Sequence, residues 1–90
     1  MKLYYIAVYD ISSPHRLSRV LKIFRKYLEW VQNSAFEGEL TETQFLNLKK
    51  ELRKAIDKEK DSVLFFFSES RKYFDKEVLG IEKNELTNII

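Results

Sequence analysis

The stretch Leu3-Tyr4-Tyr5-Ile6-Ala7-Val8-Tyr9 has no polar face, and this restricts the folds open to the chain. Side chains alternate across a strand, so Leu3, Tyr5, Ala7 and Tyr9 point one way and Tyr4, Ile6 and Val8 the other. A half-exposed strand would alternate with polar residues; this one belongs mid-sheet with both sides covered. Val63-Leu64-Phe65-Phe66-Phe67 has the same character, being too short for a helix and bounded by polar clusters.

Between these strands the chain spells out its other elements. Asp10-Ile11-Ser12-Ser13-Pro14 is a polar turn, with Ser13 as N-cap and Pro14 at the first helical position. Leu17, Val20, Leu21, Phe24 and Leu28 then recur at helical spacing, which predicts a helix to about Tyr27. Short strands are expected at 29–32 and 35–40, with Asn33-Ser34 making either a tight hairpin between them or a kink in one bulged strand. Gly38 within the second marks a bulge or a close backbone approach. Thr41 and Gln44 form a capping box that opens a second helix, whose apolar stripe is Phe45, Leu48, Leu52 and Ile56. A short strand is expected at 77–81, followed by a frayed or partner-dependent tail from Asn84.

The order is β-α-β-β-α-β plus a C-terminal strand, an α+β pattern of the ferredoxin-like kind. Its 90 residues make one domain, 1–90, with 68–90 as an extension that braces a dimer or a partner. Two helices cover only one face of a four-stranded sheet. The second face of the two-sided strands therefore needs another protein surface, and a homodimer with facing sheets is the economical answer.

Composition narrows the chemistry. There is no cysteine and one histidine, which removes disulfides, thiolate nucleophiles and most catalytic constellations. No Walker loop, GxGxxG or HExxH is present, and a lone His15 in a helical first turn reads as solvated. No apolar run is long enough to span a bilayer and no signal-peptide pattern is seen, so a cytoplasmic, membrane-free protein is expected. Residues 1–30 carry six basic and two acidic side chains, an excess that sits in the first helix and suits a polyanion.

Glu37 and Glu39 share one face of a strand, but with no third ligand nearby they read as a solvent-facing pair. Asp10 remains, with two readings. It hydrogen-bonds the free amides of the turn before the helix, which local chemistry alone favours. Alternatively, a dimer brings two copies of Asp10 together at a hydrated Mg2+ against a phosphodiester, with Arg16 and Arg19 on the phosphates.

Tyr9-Asp10-Ile11-Ser12 after an apolar strand, Arg16 and Arg19 in the first helix, Val31-Gln32-Asn33-Ser34-Ala35-Phe36-Glu37-Gly38-Glu39-Leu40 and Asp61-Ser62-Val63-Leu64-Phe65 together resemble a known family. It is the small CRISPR-associated protein of spacer acquisition, the Cas-two family, and the resemblance spans residues 2–67. A more distant likeness to toxin-type ribonucleases of the same fold is also expected. The chain departs from the family pattern at Glu29-Trp30, where many relatives have a basic residue, and at Asn33 and Ala35.

The resemblance implies a ferredoxin-like homodimer with facing sheets and a catalytic, metal-binding Asp10 from each protomer. It implies a Mg2+-dependent endonuclease acting on single-stranded RNA or double-stranded DNA in antiviral defence. The alternative it carries is a non-catalytic scaffold dimer that binds duplex DNA and bridges the subunits of the CRISPR integrase. By position, Tyr9 and Ser12 would be neighbours of Asp10, Arg16 and Arg19 phosphate contacts, and Phe36 a support near the interface.

Overall fold

The computed structural model describes residues 2–69 together with Glu77, Leu79, Gly80 and Lys83. In chain order it comprises β1 (Lys2–Asp10), α1 (Pro14–Tyr27), β2 (Glu29–Gln32), β3 (Ala35–Thr41), α2 (Glu42–Ala55) and β4 (Ser62–Ser68). The strands form one antiparallel sheet in the order β2-β3-β1-β4, which is the ferredoxin-like arrangement, with β1 central as its two-sided apolarity requires. Of the C-terminal strand expected at 77–81, Glu77, Leu79 and Gly80 are described and none of them is in a strand, while Val78, Ile81 and the tail from 84 to 90 lie outside the described residues. Among the described residues no helix is long and apolar enough to cross a membrane.

Both helices start where their caps direct. The Ser13 side chain accepts from the Arg16 amide, and Thr41 and Gln44 close a reciprocal capping box at α2. The stripes of both helices pack on one sheet face, against Tyr5, Ala7 and Tyr9 of β1 and Phe36 and Leu40 of β3. Phe24 and Phe36 stack at 4.9 Å at the centre of this layer and are fully buried. Burial of each ring contributes roughly 1.5–3 kcal/mol.

The structure has the tight hairpin, with an irregularity in its ladder, and not one bulged strand. Asn33-Ser34 is a tight turn, with Asn33 at φ +32°, and the β2–β3 register shifts between Trp30 and Gln32. Asparagine tolerates that conformation better than most residues. Gly38, by contrast, is no bulge: it pairs with Tyr5 in an unbroken ladder. At φ +156° it lies under the end of α1, where an added Cβ would sit 3.1 Å from Leu28 Cδ2. Gly38→Ala is expected to lower stability by about 1–2 kcal/mol through strain and overpacking. An unchanged urea midpoint would show that the helix end yields at no cost.

The face turned away from the helices carries Tyr4, Ile6 and Val8 of β1, opposite Ser68, Phe66 and Leu64 of β4. Tyr4 is buried and Ile6 and Val8 are half-buried. Leu64 and Phe66, however, are 55% and 52% exposed. On the β3 side the row continues through Ala35 to Glu37 and Glu39.

Candidate functional site

The site forms where β1 ends. Asp10 pairs with Ser62, the first residue of β4, so its backbone is held in the ladder. Its side chain falls on the face of Tyr4, Ile6 and Val8, away from the helices, and is exposed. The reading in which Asp10 caps the following turn is not what the structure shows. Another carboxylate takes those donors: Asp61, immediately before β4, which the sequence reading had not singled out.

Asp61 Oδ1 accepts from the Ser12 amide at 3.0 Å, the Ser12 hydroxyl at 3.1 Å and Arg16 Nη2 at 3.0 Å. Its Oδ2 accepts from Arg16 Nε at 2.7 Å and from the Asp57 amide at 2.8 Å. The Asp61 side chain is fully buried beneath Arg16, which itself remains 23% exposed. Arg16 Nη2 also donates to the Ser12 hydroxyl at 3.0 Å. The Arg16 hydrogen bonds hold the Asp61 carboxyl well below the usual carboxylate range, against the opposing pull of burial.

With its turn satisfied by Asp61, Asp10 keeps a free carboxylate. It makes no hydrogen bond or ion pair with any described residue. Nor is it part of a cluster: among the described residues no three His, Cys, Asp or Glu side chains converge. One chain thus offers one hard oxygen donor group, which suits Mg2+ as a partial ligand set, since that ion keeps several waters.

The other residues expected at the site fall into different environments. Tyr9 lies on the helix side and is buried, and its hydroxyl donates to the Asn33 carbonyl at 2.6 Å. Its amide donates to the Ser34 carbonyl at 3.0 Å, which ties the β2–β3 turn to the strand end that carries Asp10. Burial raises the Tyr9 phenol above its ordinary value, so it remains a donor to that turn. Ser12 is one arm of the Asp61 network. Arg19 is exposed and forms no ion pair among the described residues.

Phe36 lies in the core layer. Its register opposite Ala7 puts it on the helix-covered side, stacked between Phe24 and Tyr9, where it supports the strands from beneath. It is not a side chain of the open face.

Comparison with known proteins adds the family. The family described as CRISPR associated protein Cas2 matches residues 1–76. The chain belongs to that family. A curated relative, the CRISPR-associated endoribonuclease Cas2 of Dictyoglomus turgidum, is 47% identical over 98% of this chain and 100% of its own length. A second, from Thermodesulfovibrio yellowstonii, is 53% identical over 97% of this chain and 98% of its own length. A solved Cas2 crystal structure superposes with a TM-score of 0.84 at 38% identity, covering 92% of each chain. Streptococcus pyogenes Cas2 gives 0.76 at 32% identity, over 86% of this chain and 99% of that one. Within the Cas2 family match lie β1, Asp10, the first helix and the Asp61 network.

Proposed function

We propose that this chain is a CRISPR-associated endonuclease that cleaves phosphodiester bonds as a homodimer, with the Asp10 carboxylates of the two protomers together holding one Mg2+. The observation that carries the reading is the free Asp10 carboxylate: exposed, held by the β1–β4 ladder, and relieved of turn capping by Asp61. The relatives named endoribonucleases support RNA as the substrate class, which we take to be single-stranded, with double-stranded DNA the second candidate. The metal, when bound, supplies charge neutralisation at the phosphate and a more acidic water. The chain itself fixes the carboxylate position through the strand ladder and presents Arg19 to the backbone of the nucleic acid.

The dimer reading rests on the sheet face away from the helices, where Leu64 and Phe66 expose apolar surface beside Ile6 and Val8. A second copy seated there would cover it and provide the second Asp10.

A specific observation also favours the scaffold reading. Helix α1 contains no acidic residue, and Arg19, Lys22, Arg25 and Lys26 are exposed along it. Such a surface suits duplex backbone whether or not the bond is cut. In that reading the dimer binds DNA and bridges integrase subunits without cleavage.

The experiment is metal removal. The purified chain is incubated with single-stranded RNA and with duplex DNA, in Mg2+ and in excess EDTA. Cleavage is expected in Mg2+ and not in EDTA. Equal product with the chelator would reject the metal-dependent enzyme, and binding without cleavage in Mg2+ would favour the scaffold.

A further inference from the structure

We infer that Asp61 is the positioning residue for Asp10, and that Arg16 serves the site through Asp61 rather than by contacting a phosphate. The inference rests on the reading of Asp10 as the reactive carboxylate and adds residues that reading does not assign.

The chain has only Ile11, Ser12 and Ser13 in which to turn from β1 into α1. The Ser12 amide finds its acceptor outside the turn. The Ser13 side chain is engaged by the Arg16 amide at 3.3 Å, and the first turn of α1 has no acidic residue. A cation there opposes the helix dipole. Asp61 corrects both defects from 45 residues away. It accepts from both the amide and the hydroxyl of Ser12, and it neutralises Arg16 at the positive end of the helix.

Through the Asp57 amide the same carboxylate holds the chain after α2. One buried side chain therefore joins the β1–α1 turn to the α2–β4 connection. Asp10 sits between two anchors, its ladder partner Ser62 and the Asp61–Ser12 bonds two residues on. Asp61 does not touch the Asp10 side chain; it holds the backbone that carries it, and removing groups that place a ligating side chain typically costs about 10–100-fold in affinity or rate.

The same geometry removes Arg16 from the phosphate contacts. Its Nε and Nη2 are committed to Asp61, at 2.7 and 3.0 Å. Its charge is already matched by a carboxylate, so its replacement leaves the number of counterions released on nucleic-acid binding unchanged. Arg19, one turn on and without an ion pair among the described residues, differs in this respect.

The test uses the full chain and the variants Asp61→Asn, Arg16→Ala, Arg16→Lys, Arg19→Ala and Asp10→Asn. Three quantities are read: Mg2+ affinity by calorimetry without nucleic acid, kcat and KM for cleavage, and the salt dependence of duplex binding. Asp61→Asn and Arg16→Ala are each expected to weaken Mg2+ binding and lower kcat by about 10–100-fold with KM little changed. The pair combined should cost no more than either alone. Arg16→Lys keeps the charge but not the planar fork, and is expected to behave like Arg16→Ala. Arg16→Ala should leave the slope of log affinity against log salt unchanged, whereas Arg19→Ala lowers it by about 1.

Circular dichroism identifies any variant that has lost the fold. Should Asp61→Asn be one, Arg16→Lys and Ser12→Ala still break the network singly. Two results overturn the inference. One is a flattened salt slope in Arg16→Ala that Arg16→Lys restores, which would make Arg16 a phosphate contact. The other is full Mg2+ affinity and kcat in both Asp61→Asn and Arg16→Lys while Asp10→Asn abolishes both. If Asp10→Asn also leaves both intact, the reading of Asp10 is what fails, and the positioning role falls with it.

Discussion

Asp10→Asn is expected to reduce Mg2+-dependent cleavage by at least about 10³-fold, because a neutral amide is a poor ligand for a hard cation and about 4 kcal/mol of transition-state stabilisation goes with the ion. The fold should not register the change. The Asp10 side chain is exposed and bonds to no described residue, so unfolding free energy should move by no more than about 0.5 kcal/mol. This separation follows from the Asp61 network. Were Asp10 itself the turn cap, the same substitution would loosen the start of α1. Equal cleavage by wild type and variant would trace the activity to a contaminant. The variant also separates the two functional readings: a scaffold dimer would still support spacer insertion with Asn at position 10, and an enzyme whose cutting is used would not.

The second large effect is on assembly. Leu64→Asp with Phe66→Asp is expected to weaken self-association by about 10²–10³-fold, since two apolar side chains leave the interface and two charges enter it. Both positions are more than half exposed in the single chain, so the monomer should keep its fold. Sedimentation would show wild type as a dimer and the double variant as a monomer with an unchanged circular dichroism spectrum. A double variant that stays dimeric would place the interface elsewhere. Loss of cleavage in the separated monomer would follow if the site needs both copies of Asp10.

Much of this architecture was legible because it rests on local chemistry. The Ser13 and Thr41 caps fixed the helix starts, the 3.6-residue stripes fixed the helix faces, and Leu3–Tyr9 named the central strand. The two-sided strands also foretold a sheet face that the helices leave uncovered, on which Leu64 and Phe66 lie. Asp10 was singled out by position, at the end of a buried strand.

Asp61 was missed because its partners are distant in sequence: Ser12 lies 49 residues away and Arg16 lies 45 away. Local pattern carries no term for such a bond. A signal was nevertheless present. The first turn of α1 carries His15 and Arg16 and no acid, the reverse of what the helix dipole favours, so an anion had to come from elsewhere. The Arg16–Asp61 ion pair was not legible for the same reason. The layer to which Phe36 belongs was not legible, for a different reason. Strand parity says which residues share a face but not which face the helices cover, and that depends on the register with Ala7.

In the proposed function one chain holds half a metal site and symmetry supplies the rest. Calorimetric titration of the purified protein with Mg2+, without nucleic acid, tests it most directly. The prediction is one ion per two chains, with binding lost in Asp10→Asn and in the Leu64→Asp/Phe66→Asp monomer. One ion per chain that persists in the monomer would contradict it, as would Mg2+ binding that Asp10→Asn leaves intact.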